Sequence, residues 1–270
     1  MSKTLRRQSG RQEAEKEVVF SVRREDPGSG VPPRFQVYSV PITRGMTVLD
    51  ALRYIKESLD HSLSLRFSCR MGVCGSCGMI INGLPRLACE TQVLDLKTDR
   101  VEVKPPFNYP VIRDLATDFD DFFDKHVAVR SFIIREDVEE LEAPSAEYYQ
   151  TEEESEDYLQ FSYCIRCGLC YSACPTVATD LEFLGPQSLV QAARYNIDSR
   201  DEGLHERLVL VDEAHGVWRC HLAGACSTVC PKGVDPAFAI QLLKRAIIKD
   251  RLGLKPEKKG APELPRPPAD

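Results

Sequence analysis

The N-terminal third of the chain alternates between strand-like and helix-like hydrophobic patterns. Residues 18–22 and the positions around Phe35 and Val37 alternate between apolar and polar side chains, as half-buried strands do. Thr47 is a candidate helix N-cap, because apolar residues follow it at helical spacing. Those apolar residues are Val48, Leu49, Leu52 and Ile55.

A second pair of strands is predicted farther along. Residues 79–81 and 84–88 flank Asn82 and Gly83, a dipeptide that strongly favours a type I′ hairpin turn. Residues 101–103 give one more short strand. Two hairpins around one helix predict a β-grasp domain.

The C-terminal part of the chain has helical patterns. An apolar periodicity begins at Pro186 and continues to Tyr195. Asp235 and Pro236 form an N-cap and first-turn pair that begins another helix. The apolar face of that helix is expected to consist of Phe238, Leu242, Leu243, Ala246 and Ile247. No strand pattern of similar strength appears here, so the fold class is α+β, with a sheet domain followed by an all-helical domain.

An acidic stretch lies between these parts. Residues 136–157 contain eleven Asp or Glu and no Lys or Arg, and without them the net charge would be +5. We interpret the stretch as a solvated, partly flexible domain boundary; the alternative is an acidic helix face packed on the surface. The predicted organisation is a first domain at 18–115, a connecting segment at 116–157 and a second domain at 158–252. A Pro-rich, charged tail follows at 255–270.

Charge and composition exclude several classes of protein. The chain of 270 residues has a net charge of −6, which argues against binding to nucleic acid. No apolar run reaches the roughly 18 residues that a membrane-spanning helix needs. The first residues lack the apolar segment of a secretory signal, and acidic residues interrupt the basic run that a mitochondrial transit peptide would need. Eleven cysteines in a reducing compartment favour metal sites over disulfides.

The first four cysteines have the spacing of a plant-type [2Fe–2S] site. Cys69, Cys74 and Cys77 form a C-x4-C-x2-C run, and Cys89 follows it. A two-residue hairpin turn would pair Cys77 with Ala88 and return Cys89 to the loop that holds the other thiolates. Glycines in this region would let the backbone curl around sulfide: Gly72, Gly75 and Gly78. A four-cysteine zinc site is the alternative, although zinc usually uses two C-x2-C knuckles.

The other seven cysteines form two runs of the bacterial ferredoxin type. The first run has the full C-x2-C-x2-C-x3-C-P spacing, with Cys164, Cys167, Cys170 and Cys174. The second run has Cys220, Cys226 and Cys230. Ala223 stands where its second cysteine belongs. In such paired runs, the fourth cysteine of each run binds the cluster of the other run.

The alanine determines which clusters are predicted. One site has four ligands and is predicted to hold [4Fe–4S], with Cys164, Cys167, Cys170 and Cys230. The other site has three ligands and is predicted to hold [3Fe–4S], with Cys174, Cys220 and Cys226. All eleven cysteines are then used. The alternative for the second site is a labile [4Fe–4S] cluster with water or another ligand on the fourth iron.

The sequence offers no acid–base or hydride chemistry. We find no Ser/His/Asp nucleophile arrangement, no G-x-G-x-x-G and no phosphate loop. Each of the three clusters passes one electron at a time. The chain is therefore predicted to be a relay that has no catalytic residues of its own and needs a donor and an acceptor.

Three stretches closely resemble the iron–sulfur subunit of succinate dehydrogenase and fumarate reductase, respiratory complex II. They are SCRMGVCGSCGMIINGLPRLAC, CIRCGLCYSACP and GVWRCHLAGACSTVCPKGVDP, and the resemblance covers residues 18–250. It implies a flavoprotein partner that carries FAD and oxidises succinate or reduces fumarate. It also implies quinone as the other redox partner and membrane-anchor subunits, with haem in them left open. The chain would then lie at the cytoplasmic face of the cell membrane.

The resemblance further implies a quinone site beside the last cluster. The matching positions are Pro175, Thr176, Trp218, His221 and Lys232. Three of them have simpler alternatives, since His221 could donate to sulfide or backbone, Lys232 could be a solvated charge and Trp218 could be packing. Ubiquinone-reducing members carry a tryptophan pair shortly after the Cys-Pro, whereas this chain has Thr-Val-Ala-Thr at 176–179. The resemblance therefore favours a menaquinone-type partner and leaves the direction of the reaction open.

Two other functions are alternatives. The chain could serve another flavoprotein complex, such as a thiol-linked fumarate reductase or a glycolate-oxidase-like enzyme, although those relatives usually add cysteine-rich C-terminal domains. A zinc-bound scaffold without electron flow is the second alternative. It would be colourless.

Overall fold

The computed structural model describes residues 16–254, in which a sheet domain is followed by a set of short helices. The strands are β1 (Lys16–Asp26), β2 (Val31–Ile42), β3 (Gly78–Ile81), β4 (Leu84–Leu87), β5 (Arg100–Lys104), β6 (Val111–Arg113) and β7 (Ala116–Thr117). The helices are α1 (Val48–Tyr54), α2 (Asp120–Ala128), α3 (Val138–Glu142), α4 (Glu152–Ser162), α5 (Leu169–Ser172), α6 (Pro175–Thr179), α7 (Gly185–Ile197), α8 (Leu204–Val211), α9 (Ala225–Thr228) and α10 (Pro236–Arg251). Within residues 16–254, no helix is long and apolar enough to cross a membrane.

The sheet of the first domain has five strands in the order β2-β1-β5-β3-β4. β1 pairs antiparallel with β2 and parallel with β5, and β3 pairs antiparallel with β4 and β5. Helix α1 begins at the predicted N-cap: the Thr47 hydroxyl accepts the Asp50 N–H at 3.1 Å, and the Asp50 carboxylate accepts the Thr47 N–H at 3.0 Å. Its buried residues join those of the sheet in one core. The β-grasp prediction is confirmed.

Strand β2 is present as predicted, but it does not bury Phe35 and Val37, the two apolar residues that indicated the strand. Phe35 and Val37 are 44% and 57% exposed, whereas Tyr38, Val40 and Ile42 face the core. Because both faces of β2 carry apolar residues, the alternation reveals the period of the strand without revealing the buried face.

Helix α7 is the centre of the second domain, and α2, α4, α8 and α10 pack around it. Helix α10 begins as predicted, since the Asp235 carboxylate accepts the Phe238 N–H at 3.0 Å. The predicted apolar face is wrong in one member, because Phe238 is 44% exposed while Leu243 and Ile247 are buried. Ala239 and Ile240 complete the buried side.

The acidic stretch 136–157 contains α3 and the first half of α4. Thr151 caps α4 by a reciprocal pair of hydrogen bonds with Glu154, and Tyr158 and Phe161 are buried on the inner side of the helix. In α4 the stretch therefore forms an acidic helix face on the surface, as the alternative interpretation describes. The proposed break at residue 158 falls inside this helix.

Candidate metal centres

The β3–β4 hairpin returns the fourth cysteine of the first group to its loop. Asn82 and Gly83 have φ values of 48° and 81°, as a type I′ turn requires. The Ala88 N–H donates to the Cys77 carbonyl at 3.0 Å, which is the predicted register. Cys89 follows directly and lies next to the loop at 69–77.

Backbone amides of this loop point at sulfur atoms. The Gly72 N–H donates to Cys89 Sγ at 3.2 Å. The Cys69 Sγ accepts N–H groups at 3.3–3.4 Å from Met71, Val73 and Cys74. Gly72 has a φ of +71°, a conformation that glycine adopts without strain. A loop of N–H donors around four thiols fits a cluster of thiolates and sulfide, which carries negative charge.

The thiols of the loop differ strongly in acidity. Burial raises the pKa of the Cys77 thiol to about 12. Burial also raises the pKa of Cys74, but hydrogen bonds from Ser76 and from the backbone outweigh it and bring the pKa to about 6. Because iron binds thiolates, cluster insertion at Cys77 must release a proton.

The seven remaining cysteines line two separate cavities. One cavity is lined by the four cysteines of one predicted set, Cys164, Cys167, Cys170 and Cys230. A second cavity is lined by the three cysteines of the other set, Cys174, Cys220 and Cys226. Ala223 lies in the wall of the second cavity. The structure thus brings together the cysteines that the spacing grouped, and each donor set fits the cluster predicted for it.

Burial is the main influence on these thiols. It raises the pKa of Cys167 to about 12 and that of Cys226 to about 11, and it raises that of Cys170 well above its ordinary value. Without a bound group, Cys167, Cys170 and Cys226 would be neutral thiols. Iron ions supply positive charge to such sulfurs and so favour their thiolate form.

The two cysteine runs share one backbone conformation. Arg166 and Leu222, the residues before the second cysteine position, have φ values of 54° and 59°. Gly168 and Gly224, the residues after it, have φ values of 75° and 71°. Ala223 therefore occupies the same place in its run as Cys167 does in the other.

Four of the five predicted quinone-site residues line the three-cysteine cavity or lie within two positions of Cys220. Pro175 and Thr176 line the cavity. Trp218 is 43% exposed, and its indole N–H donates to Asp212 at 2.6 Å. His221 is exposed, and its imidazole makes no hydrogen bond or ion pair to any residue within 16–254.

Lys232 lies elsewhere. It lines the four-cysteine cavity, and its Nζ is 3.1 Å from the Glu90 carboxylate of the first domain. A different cation contacts Cys220: the Lys244 Nζ donates to the Cys220 carbonyl at 3.2 Å and lies 5.7 Å from the centre of the Trp218 ring. The sequence does not indicate Lys244 as a site residue, because no local pattern shows which side of α10 faces the cysteines.

The two cysteine-bearing domains meet at Gly75. A Cβ on Gly75 would lie 2.7 Å from the Cys167 Cα and 2.8 Å from its Cβ. The loop of the first group is therefore packed against the backbone of the second group, with no room for a side chain.

Gly75→Ala is expected to lower the thermal stability of the protein more than Gly83→Ala does. Both glycines have positive φ, so each alanine adds strain of about 1–2 kcal/mol. Gly83 has open space around it, whereas an alanine at position 75 would also collide with Cys167. That collision should destabilise the protein by about 1–3 kcal/mol more. The midpoint of thermal loss of visible absorbance measures the difference. Equal midpoints for the two variants would contradict the tight contact.

Family comparisons agree with this arrangement. Residues 19–124 match a family described as a 2Fe-2S iron-sulfur cluster binding domain, and residues 160–234 match one described as a 4Fe-4S dicluster domain. The fold and the cysteine sites thus define an iron–sulfur protein with two ferredoxin-type domains.

Known relatives narrow the class. The chain is 51% identical over 227 residues to the fumarate reductase iron-sulfur subunit of Mycobacterium tuberculosis, which covers 84% of this chain and 91% of that one. It is 37% identical over 235 residues to the succinate dehydrogenase iron-sulfur subunit of Paracoccus denitrificans, covering 86% and 88%. A chain of the Mycobacterium smegmatis Sdh1 complex in the apo form matches with a TM-score of 0.77 and 27% identity, covering 87% and 96%. The protein belongs to the family of succinate dehydrogenase and fumarate reductase iron–sulfur subunits, which are parts of oxidoreductase complexes.

Proposed function

We propose that this chain relays single electrons between the FAD of a flavoprotein subunit and membrane quinone in a succinate:quinone oxidoreductase. The observation that carries the proposal is the division of the eleven cysteines into one four-cysteine loop, one four-cysteine cavity and one three-cysteine cavity. When bound there, iron–sulfur clusters supply one-electron chemistry with no proton transfer of their own. The chain's own cysteines would hold the clusters.

The ligand assignment follows this division. The [2Fe–2S] cluster would be held by Cys69, Cys74, Cys77 and Cys89. The [4Fe–4S] cluster would be held by Cys164, Cys167, Cys170 and Cys230. The [3Fe–4S] cluster would be held by Cys174, Cys220 and Cys226, since Ala223 offers no ligand for a fourth iron.

Contacts between the sites support a linear order. Gly75 packs against Cys167, which joins the first site to the second. Helix α5 and the residues next to it join the second site to the third, because Cys170 lies in α5 and Cys174 follows shortly after it. Backbone N–H groups around the first site stabilise added negative charge.

The exposed residues around the three-cysteine cavity support a quinone end at a membrane anchor. Trp218 and Leu222 are 43% and 49% exposed, and Leu222 lines the cavity itself. We propose that Pro175, Thr176, Trp218 and His221 form the chain's part of the quinone site. Lys244 replaces Lys232 as its cation, because Lys244 lies at Trp218 and Lys232 does not.

The partners follow from the same proposal. A flavoprotein subunit would contact the first domain, and membrane-anchor subunits would hold the third site at the cytoplasmic face of the membrane. Thr176 and the residues after it, with no tryptophan pair, favour a menaquinone-type acceptor over ubiquinone.

Isolation of the tagged chain with its natural partners is expected to yield a coloured complex that contains flavin. Its iron content should be about nine atoms per chain, from clusters with two, four and three irons. Succinate should reduce the complex and a menaquinone analogue should reoxidise it. A colourless preparation that holds only zinc, or one isolated with an unrelated flavoprotein, would contradict the proposal.

A further inference from the structure

An ion pair joins the two domains between their cluster sites. Glu90 directly follows Cys89, and Lys232 lies two positions after Cys230. The Lys232 Nζ is 3.1 Å from the Glu90 Oε1, and the two side chains are only 28% and 39% exposed. The residues are 142 positions apart in the chain, so this contact depends on how the domains are assembled.

The carboxylate end of the pair lies against the first cysteine loop. A Cβ on Gly72 would lie 1.9 Å from the Glu90 Oε1, so the carboxylate rests directly on the Gly72 backbone. The N–H of the same glycine donates to Cys89 Sγ at 3.2 Å. The negative charge of Glu90 is therefore held beside the sulfur atoms of the first site.

The ammonium end belongs to the second site. Lys232 lines the cavity that contains the four cysteines Cys164, Cys167, Cys170 and Cys230. The pair thus places a negative charge at one site and a positive charge at its neighbour. Partial burial limits the screening of these charges by solvent and salt.

We propose that Glu90 and Lys232 set the reduction potentials of the two neighbouring clusters in opposite directions. Reduction adds one electron to a cluster, so a carboxylate beside it disfavours the reduced form and an ammonium group favours it. Glu90 lowers the potential of the [2Fe–2S] cluster, and Lys232 raises that of the [4Fe–4S] cluster. The inference rests on the proposed function, because it assumes these clusters at these sites.

The test is an EPR-monitored redox titration of the whole complex, in which mediator dyes supply the electrons. Three variants are compared with the wild type: Glu90→Gln, Lys232→Gln, and the exchanged pair Glu90→Lys with Lys232→Glu. Glu90→Gln is expected to raise mainly the [2Fe–2S] potential, and Lys232→Gln to lower mainly that of [4Fe–4S]. Each single variant should change the ratio of reduced to oxidised cluster at a fixed potential severalfold. A tenfold change in this ratio corresponds to a shift of about 59 mV in the potential of a one-electron couple. The exchanged pair keeps the ionic contact but reverses the charges, so it should shift both potentials in those same directions. Glu57→Gln, which breaks a surface pair with Arg53, is the control and should shift neither.

Two results would overturn the inference. Unchanged potentials in all three variants, with full cluster content by spin integration, would exclude an electrostatic role. If both single variants shifted a potential but the exchanged pair kept the wild-type potentials, the contact would have only a structural role. A wild-type complex without these clusters would instead contradict the proposed function, so the two failures are distinguishable.

Discussion

Ala223→Cys is expected to abolish the EPR signal of the oxidised third site and to replace it with a signal that appears only on reduction. An oxidised [3Fe–4S] cluster is paramagnetic, whereas an oxidised [4Fe–4S] cluster is diamagnetic. The new thiol would occupy the place that Cys167 has in the other run, because the flanking backbone angles of the two runs agree within about 5°. Iron content should rise by about one atom per chain, and quinone reduction by succinate should slow by about tenfold or more, since the potential of the last site changes.

Ala225→Cys is the matched control. Ala225 lines the same cavity, but it corresponds to Leu169 and not to a cysteine of the complete run. This variant should keep the oxidised signal and the iron content of the wild type. If Ala223→Cys also keeps both, Ala223 is not the missing ligand position.

Arg207→Met is expected to destabilise the helical domain by about 3–5 kcal/mol, the usual cost of removing one partner of a buried ion pair. Arg207 is fully buried and binds both carboxylate oxygens of Asp201, at 2.6 and 2.7 Å. Its guanidinium also donates to the carbonyls of Arg130 and Phe132, which fixes the segment before α3. Methionine would leave the Asp201 charge buried without a cation.

The loss is best measured as the midpoint of thermal bleaching of the clusters under anaerobic conditions. A decrease of about 10 °C or more is expected from the size of the free-energy change. Arg23→Met is the control. Among residues 16–254, Arg23 pairs only with the nearby Glu25 at a part-exposed site, so its loss should cost about 1 kcal/mol or less. Similar midpoints for the two variants would contradict the structural role of Arg207.

The features of the cysteine sites that depend on spacing along the chain could be predicted from the sequence. The Asn82-Gly83 turn determines the β3–β4 register, and that register returns Cys89 to its loop. The grouping of the other cysteines also follows from spacing, because in paired runs of this type the fourth cysteine of each run binds the cluster of the other run.

Features that depend on which faces pack together could not be predicted. Phe35 and Phe238 lie in correctly predicted elements but face solvent, because local periodicity does not say which side of an element another one covers. Lys232 lies at the second site and Lys244 near the third, and only the packing of α10 and the domain contact decide this. The Glu90–Lys232 pair has no local sequence signal at all.

The most direct test is an EPR-monitored redox titration of the purified wild-type complex. We expect the fully oxidised sample to show one signal, from [3Fe–4S], which disappears on reduction, while signals from [2Fe–2S] and [4Fe–4S] appear at lower potentials. An oxidised sample without any signal, followed by three signals that appear only on reduction, would contradict the assignment of the three-cysteine site and of the quinone end beside it.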